Sequence, residues 1–138
     1  MKKPNSKASA SRLSKSDYEK LAHLRYQLRQ FLRFSEDVTR KKGITVLQYL
    51  LMLQIKGFPG RDWATVGELA ERLQAKQHGV VSLISRCEAT GLVKRCASES
   101  DKRCVKVRLT GKGARYLEQL ALLHRADLRL SRLGGMLL

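Results

Sequence analysis

The chain has 138 residues, the size of one ordinary domain, and 43% of them are hydrophobic, so we expect a packed core and not a disordered chain. Lysine and arginine total 28 against 12 acidic residues. The resulting net charge of +16 points to a polyanionic partner, and nucleic acid is the first candidate. There is no apolar run near the roughly 20 residues of a membrane span and no hydrophobic leader, and the 3 cysteines are too few for a disulfide framework, so we expect a cytoplasmic domain with no membrane role.

The first predicted elements are a flexible basic arm over residues 1–14 and a long helix that ends at Gly43. Ser16 is predicted to cap this helix. Its apolar residues recur at helical spacing: Leu21, Leu24, Leu28, Phe31 and Val38. The helix also carries a basic row, which we interpret as a solvated face, with contact to an acidic ligand or flanking DNA as the alternative: Arg25, Arg29 and Arg33.

Two capping boxes predict the next two helices. Thr45 with Gln48 begins a helix that is almost wholly apolar and is therefore expected to be buried. Thr65 with Glu68 begins a short amphipathic helix that ends near Leu73.

After a break at residues 74–76, a further helix is predicted from Gln77 to Thr90, and Gly91 ends it. Its inner row consists of apolar or small residues: Val80, Leu83, Ile84 and Cys87. Its outer row is polar and lies at spacings of four: His78, Ser82 and Arg86.

From Val93 onward, apolar and polar residues alternate with a period of two residues in place of the helical period. This pattern predicts a hairpin whose second strand ends at Leu109. Its turn, residues 98–103, is polar and basic. A hairpin centred at Ser100 places Val93 opposite Val107 on the inner face.

The same register places Cys96 directly opposite Cys104, on one face with Lys94 and Lys106. Nearby lysines lower a thiol pKa, so one hypothesis is a redox switch or a soft-metal site, and the alternative is two incidental cysteines. The spacing is not that of a zinc site, and we expect no metal or other cofactor.

Thr110 is predicted to cap a last helix that runs from Gly111 to the pair Gly134–Gly135. One side of it carries Leu117, Leu120, Ala121, His124 and Leu128. We interpret His124, like His23 on the first helix, as a packed or partly exposed histidine and not as a ligand.

A short helix, a tight break, a second helix and a basic hairpin together predict a winged helix-turn-helix. The second helix of such a pair enters the DNA major groove, and the wing lays a cation on the backbone or in the minor groove. The charge supports this, because residues 43–73 are neutral whereas residues 74–113 carry nine basic and three acidic groups.

The chain also resembles the MarR family of bacterial transcription regulators over roughly residues 18–130. The segments that carry the resemblance are Val66–Leu73, Leu83–Val93 and the wing signature Asp101–Gly113, an Asp-x-Arg followed by a strand and Leu-Thr-x-x-Gly. The resemblance implies a homodimer on a palindromic operator, formed through helices at 15–43 and 111–138 around a DNA-binding part at 44–110, in one domain over 15–138. It also implies repression relieved by a small ligand or by oxidation.

Arg103 is the wing cation that we expect to contact DNA, with Asp101 orienting its guanidinium. Gln77 and Arg86 suit adenine and guanine edges. All the residues predicted to contact DNA are Thr65, Lys76, Gln77, His78, Ser82, Arg86, Lys94, Asp101, Lys102 and Arg103.

Three other functions compete with a sequence-specific regulator. A nonspecific or architectural nucleic-acid binder would use the same charge without reading sequence. An enzyme is disfavoured because there is no glycine-rich phosphate loop, nucleophile elbow or His-Glu metal motif. A winged helix used only for protein contacts is disfavoured because the predicted reading face is charged.

Overall fold

The computed structural model describes residues 12–97 and 105–127. In chain order its elements are α1 (Lys15–Lys41), α2 (Val46–Lys56), β1 (Trp63–Thr65), α3 (Val66–Leu73), α4 (Gln77–Ala89), β2 (Val93–Ala97), β3 (Val105–Leu109) and α5 (Gly111–Arg125). The predicted class, mainly helical with a small hairpin, is confirmed. The chain divides into two compact units, the first ending at Phe34 and the second beginning at Ser35. Within the described ranges, the model contains no helix with the length and apolarity to span a bilayer.

The first turn of α1 is held by Ser14 and not by the predicted Ser16. The Ser14 backbone N–H donates to Asp17 Oδ2 at 2.9 Å, and the Asp17 backbone N–H donates to Ser14 Oγ at 3.2 Å. The Ser14 backbone N–H first, and the Ser14 side chain second, hold the pKa of the Asp17 carboxyl below its ordinary value. The predicted apolar row is exposed only at its start, where Leu21 is 54% exposed and Leu24 37%, and its later residues Leu28, Phe31 and Val38 are half-buried.

The core of the second unit is built from one face of each helix and one face of the sheet. Leu51, Met52 and Ile55 of α2 have no accessible surface, but the helix is buried on one side and not all round as predicted, because Leu47 is 53% exposed. The predicted inner row of α4 is buried too: Val80, Leu83, Ile84 and Cys87. Gly91 ends α4 in a left-handed conformation, φ 76°, and the Leu92 N–H then donates to the Cys87 carbonyl at 2.9 Å.

The wing belongs to a three-stranded antiparallel sheet in the order β1, β3, β2. The sequence did not predict β1, because three residues are too few to show alternation. This strand is held by its neighbour, with Ala64 opposite Val107 and both side chains fully buried.

The predicted hairpin register is wrong by two residues. Val93 pairs with Leu109 and not with Val107, and Cys96 pairs with Lys106. The base of the hairpin explains the shift, because the Thr110 N–H donates to the Leu92 carbonyl at 3.1 Å. A shift of two residues leaves every side chain on its predicted face, so Val93 and Val107 are still buried together.

Helix α5 begins as predicted, with the Thr110 side chain accepting from the Gly113 N–H at 3.0 Å. It ends at Arg125, before the predicted Gly134–Gly135, which lie with Leu128 outside the described residues.

His124 is packed in the core as predicted, stacked on Tyr49 at 4.5 Å between ring centroids. Its Nδ1 donates to the Leu120 carbonyl at 2.7 Å, because a carbonyl only accepts, and Ser35 Oγ lies 2.8 Å from Nε2. His23 is exposed beside Tyr26, with 6.4 Å between ring centroids.

Candidate nucleic-acid interface

Helices α3 and α4 are joined by the tight break that the sequence predicted at residues 74–76. Gln74 takes a left-handed conformation with φ 51°, and the Ala75 N–H donates to the Ala70 carbonyl at 3.0 Å. The turn redirects the chain within three residues, so α4 packs its apolar side on the core and leaves its polar side to solvent. This is the geometry of a helix-turn-helix.

The outer side of α4 carries the predicted reading residues. Gln77, His78, Ser82 and Arg86 are all exposed. Within the described parts of the chain, none of these four side chains has an ion-pair or hydrogen-bond partner among the contacts found. They are therefore available to a ligand, and the buried row behind them fixes the helix that carries them.

Lys76 and Thr65 stand at the amino ends of the two helices. Lys76 is the N-cap residue of α4 and is exposed, without a side-chain capping bond. Thr65 caps α3 as predicted, accepting from the Glu68 N–H at 3.3 Å while its own N–H donates to Glu68 Oε1 at 2.9 Å. Partial burial opposes ionisation of Glu68, but the Thr65 backbone N–H, then Arg61 and the Thr65 side chain, hold the pKa of this carboxyl below its ordinary value.

Arg61 ties this cap to the wing, and sequence reasoning missed it. Its guanidinium lies 4.1 Å from the Phe58 ring centroid and 3.9 Å from that of Trp63, while it pairs with Glu68. Lys106 Nζ on β3 lies 4.1 Å from the same Trp63 ring. The aromatic rings flanking an arginine in the sequence were the available signal for this stack.

Arg95 on β2 clamps the wing to α4, and sequence reasoning missed this contact as well. Its guanidinium donates to Glu88 Oε1 at 2.6 Å, to Ser85 Oγ at 2.9 Å and to the Val81 carbonyl at 3.2 Å. The Arg95 backbone N–H donates to Glu88 Oε2 at 3.0 Å. This bond makes the largest contribution to holding the pKa of Glu88 below its ordinary value, and the Arg95 guanidinium adds to it.

The sequence did contain a signal for this clamp. Strand alternation places Arg95 in the same row as Val93, on the face that turns toward α4. A guanidinium in an inward row needs a carboxylate, and Glu88 is the acidic residue on the helix that precedes the strand.

The structure describes only part of the predicted wing contacts. Lys94 is exposed on β2, opposite Arg108, whose guanidinium pairs with Asp62 Oδ1 at 3.1 Å. The remaining predicted wing residues, Asp101, Lys102 and Arg103, lie outside the described residues.

The predicted pair of opposed cysteines is not formed as expected, because Cys96 faces Lys106 across the sheet. Cys104 lies outside the described residues, and the redox or soft-metal hypothesis loses the register on which it rested. The described part of the chain groups no three His, Cys, Asp or Glu side chains in a way that could hold a metal ion.

Cys87 should be far less reactive than Cys96. Burial raises the pKa of Cys87 to about 11, outweighing the nearby Arg86 charge and the hydrogen bond with Gln48, and its thiol has no accessible surface. At pH 8 with iodoacetamide, peptide mapping should find Cys96 alkylated in the native protein and Cys87 alkylated only after unfolding. Alkylation of both at equal rates in the native protein would contradict the buried position of Cys87.

Comparison with known proteins agrees with this geometry. Residues 42–103, from the end of α1 into the wing, match the sequence model of the MarR family. No protein of curated function matches the chain.

Several solved structures are similar to the chain. The wild-type MarR protein from E. coli in its apo form is 26% identical, with a TM-score of 0.69 over 82% of this chain and 79% of that one. A mutant of the same protein, solved in complex with operator DNA, is 26% identical, with a TM-score of 0.67 over 82% of this chain and 77% of that one. AbsC from Streptomyces coelicolor, a MarR family transcriptional regulator, shares the fold at 23% identity, with a TM-score of 0.74 over 92% of this chain and 84% of that one.

Proposed function

We propose that this chain is a winged helix-turn-helix transcription regulator of the MarR family and not an enzyme, and that it binds double-stranded DNA with sequence specificity. The observation that carries the proposal is the outer face of α4, exposed and polar, on a helix whose other face is buried. The similar E. coli protein in complex with operator DNA supports the same partner here. A protein that acts on bacterial chromosomal DNA is expected in the cytoplasm.

In this proposal α4 enters the major groove. Arg86 is suited to a guanine edge and Gln77 to an adenine edge, while His78 and Ser82 reach base edges or phosphates. Lys76 attracts the DNA backbone, and Thr65 adds a phosphate contact to its capping role.

The wing contributes the second set of contacts. Arg103 is proposed to enter the minor groove, where the potential is most negative, and Asp101 to orient it. Lys94 and Lys102 attract the backbone without reading sequence. This wing also separates the proposal from a purely architectural binder, which needs no single defined cation.

We propose further that the protein acts as a homodimer on a palindromic operator. Apolar side chains are exposed on both terminal helices: Tyr18, Leu21, Tyr26 and Leu32 on α1, and Leu122 and Leu123 on α5. A second copy would cover such side chains. Repression relieved by a small ligand or by oxidation is the proposed mode of control, following the family resemblance.

Selection from a random duplex pool at about 0.15 M salt tests the function. We expect an inverted repeat with half-sites about one helical turn apart. Arg103→Ala should then weaken operator binding by about 1–3 kcal/mol. Recovery of no motif, with binding that fades steeply as salt rises, would favour the architectural function instead. Unchanged affinity of Arg103→Ala would remove the wing cation from the interface.

A further inference from the structure

One large apolar side chain is exposed on the outer side of α4. Val81 has 42% of its surface exposed, although the other exposed side chains of the first two turns, Gln77, His78 and Ser82, are polar. An isolated apolar residue on a protein surface needs no explanation in general. This one stands among the residues proposed to read bases, where an apolar side chain affects which base is bound.

The buried side of α4 does not require a valine at this position. The core side of α4 is already filled by Val80, Leu83 and Ile84, which are buried. Valine is also a weaker helix former than alanine or leucine, because its branched Cβ restricts χ1, so helix propensity does not favour it.

The backbone at Val81 is held in place by the wing. Its carbonyl accepts from the Arg95 guanidinium at 3.2 Å, and the same guanidinium bonds Ser85 one turn later at 2.9 Å. The exposed valine side chain therefore projects from a fixed position, between Gln77 one turn before it and Ser85 one turn after it.

We propose that Val81 is a specificity-determining residue that contacts the 5-methyl group of a thymine in the major groove. Thymine is the base that presents an apolar group there, and every other base edge offers only donors and acceptors. The inference rests on the proposed function and adds to it that each half-site contains a thymine recognised through its methyl group.

The test replaces thymines of the selected operator one at a time by deoxyuridine, which removes only the methyl group and keeps base pairing. Wild type should lose about fourfold in affinity at one thymine of each half-site, the effect of burying one methyl group. Val81→Ala should bind the thymine and the deoxyuridine operators equally. The matched control is Leu47→Ala, which trims a side chain on α2 that is 53% exposed and should retain the wild-type loss.

The outcomes separate this proposal from the proposed function. Equal wild-type affinity for every deoxyuridine operator, or the same fourfold loss in Val81→Ala, would overturn the role of Val81 while leaving sequence-specific binding intact. Failure to select any operator would overturn the function itself, and with it this inference. Because the scan on wild type needs no variant, equal affinity for every deoxyuridine operator overturns the proposal whatever the folding of Val81→Ala.

Discussion

Gly113→Ala is expected to lower the free energy of unfolding by about 3 kcal/mol, at the upper end for overpacking a core. A Cβ at this position in the first turn of α5 would lie 1.9 Å from the Leu92 carbonyl oxygen and 2.9 Å from its carbon. That carbonyl accepts from the Thr110 N–H, which fixes the hairpin register, so it moves only by breaking this bond. Urea titration followed by circular dichroism measures the loss.

Gly67→Ala is the matched control, because nothing lies within 4 Å of a Cβ built at Gly67 on α3. Alanine is the better helix former, so this variant should be as stable as wild type or more stable by up to about 1 kcal/mol. Equal stability of the Gly113 and Gly67 variants would mean that α5 does not approach Leu92 as closely as described.

Arg95→Met is expected to have the second large effect, acting on both stability and DNA binding. It keeps much of the aliphatic stem but removes the guanidinium bonds that join β2 to α4. The pair is partly exposed, with 29% of the Arg95 side chain and 40% of Glu88 accessible, so we expect a loss of about 1–2 kcal/mol in unfolding free energy. Operator affinity should fall by a further threefold to tenfold, about 1 kcal/mol, because α4 and the wing lose their fixed relation.

Arg108→Met provides the control for charge. This variant also removes an arginine of the sheet. Arg108 has a side chain that is 40% exposed, and its partner Asp62 is 68% exposed. Because the ion pair is largely solvated, Arg108→Met should change the free energy of unfolding by less than about 1 kcal/mol. Both variants should show similar salt dependence of operator binding, since each removes one charge. If the two variants also match in urea midpoint and in affinity, Arg95 is an ordinary surface cation and not a clamp.

Local patterns along the chain were enough to predict most of the architecture. The Thr45, Thr65 and Thr110 caps each mark a helix start because the capping bond spans only three residues. The inner row of α4 and the buried faces of β2 and β3 follow from periods of 3.6 and two. The outer face of α4, and hence most of the candidate interface, is the complement of that buried row.

Contacts between residues distant in sequence decided the rest. The hairpin register depends on the bond between Thr110 and Leu92, and the existence of β1 depends on its pairing with β3. Neither contact leaves a periodic pattern in the sequence. The Arg95 clamp spans the junction of helix and strand. Side-chain period is a local property, so the pattern along the chain was sufficient to predict which residues of α4 and of the sheet face the core and which face solvent. The register, the Arg95 clamp and the close approach at Gly113 each depend on which two backbone segments meet, so they are known only from the folded structure.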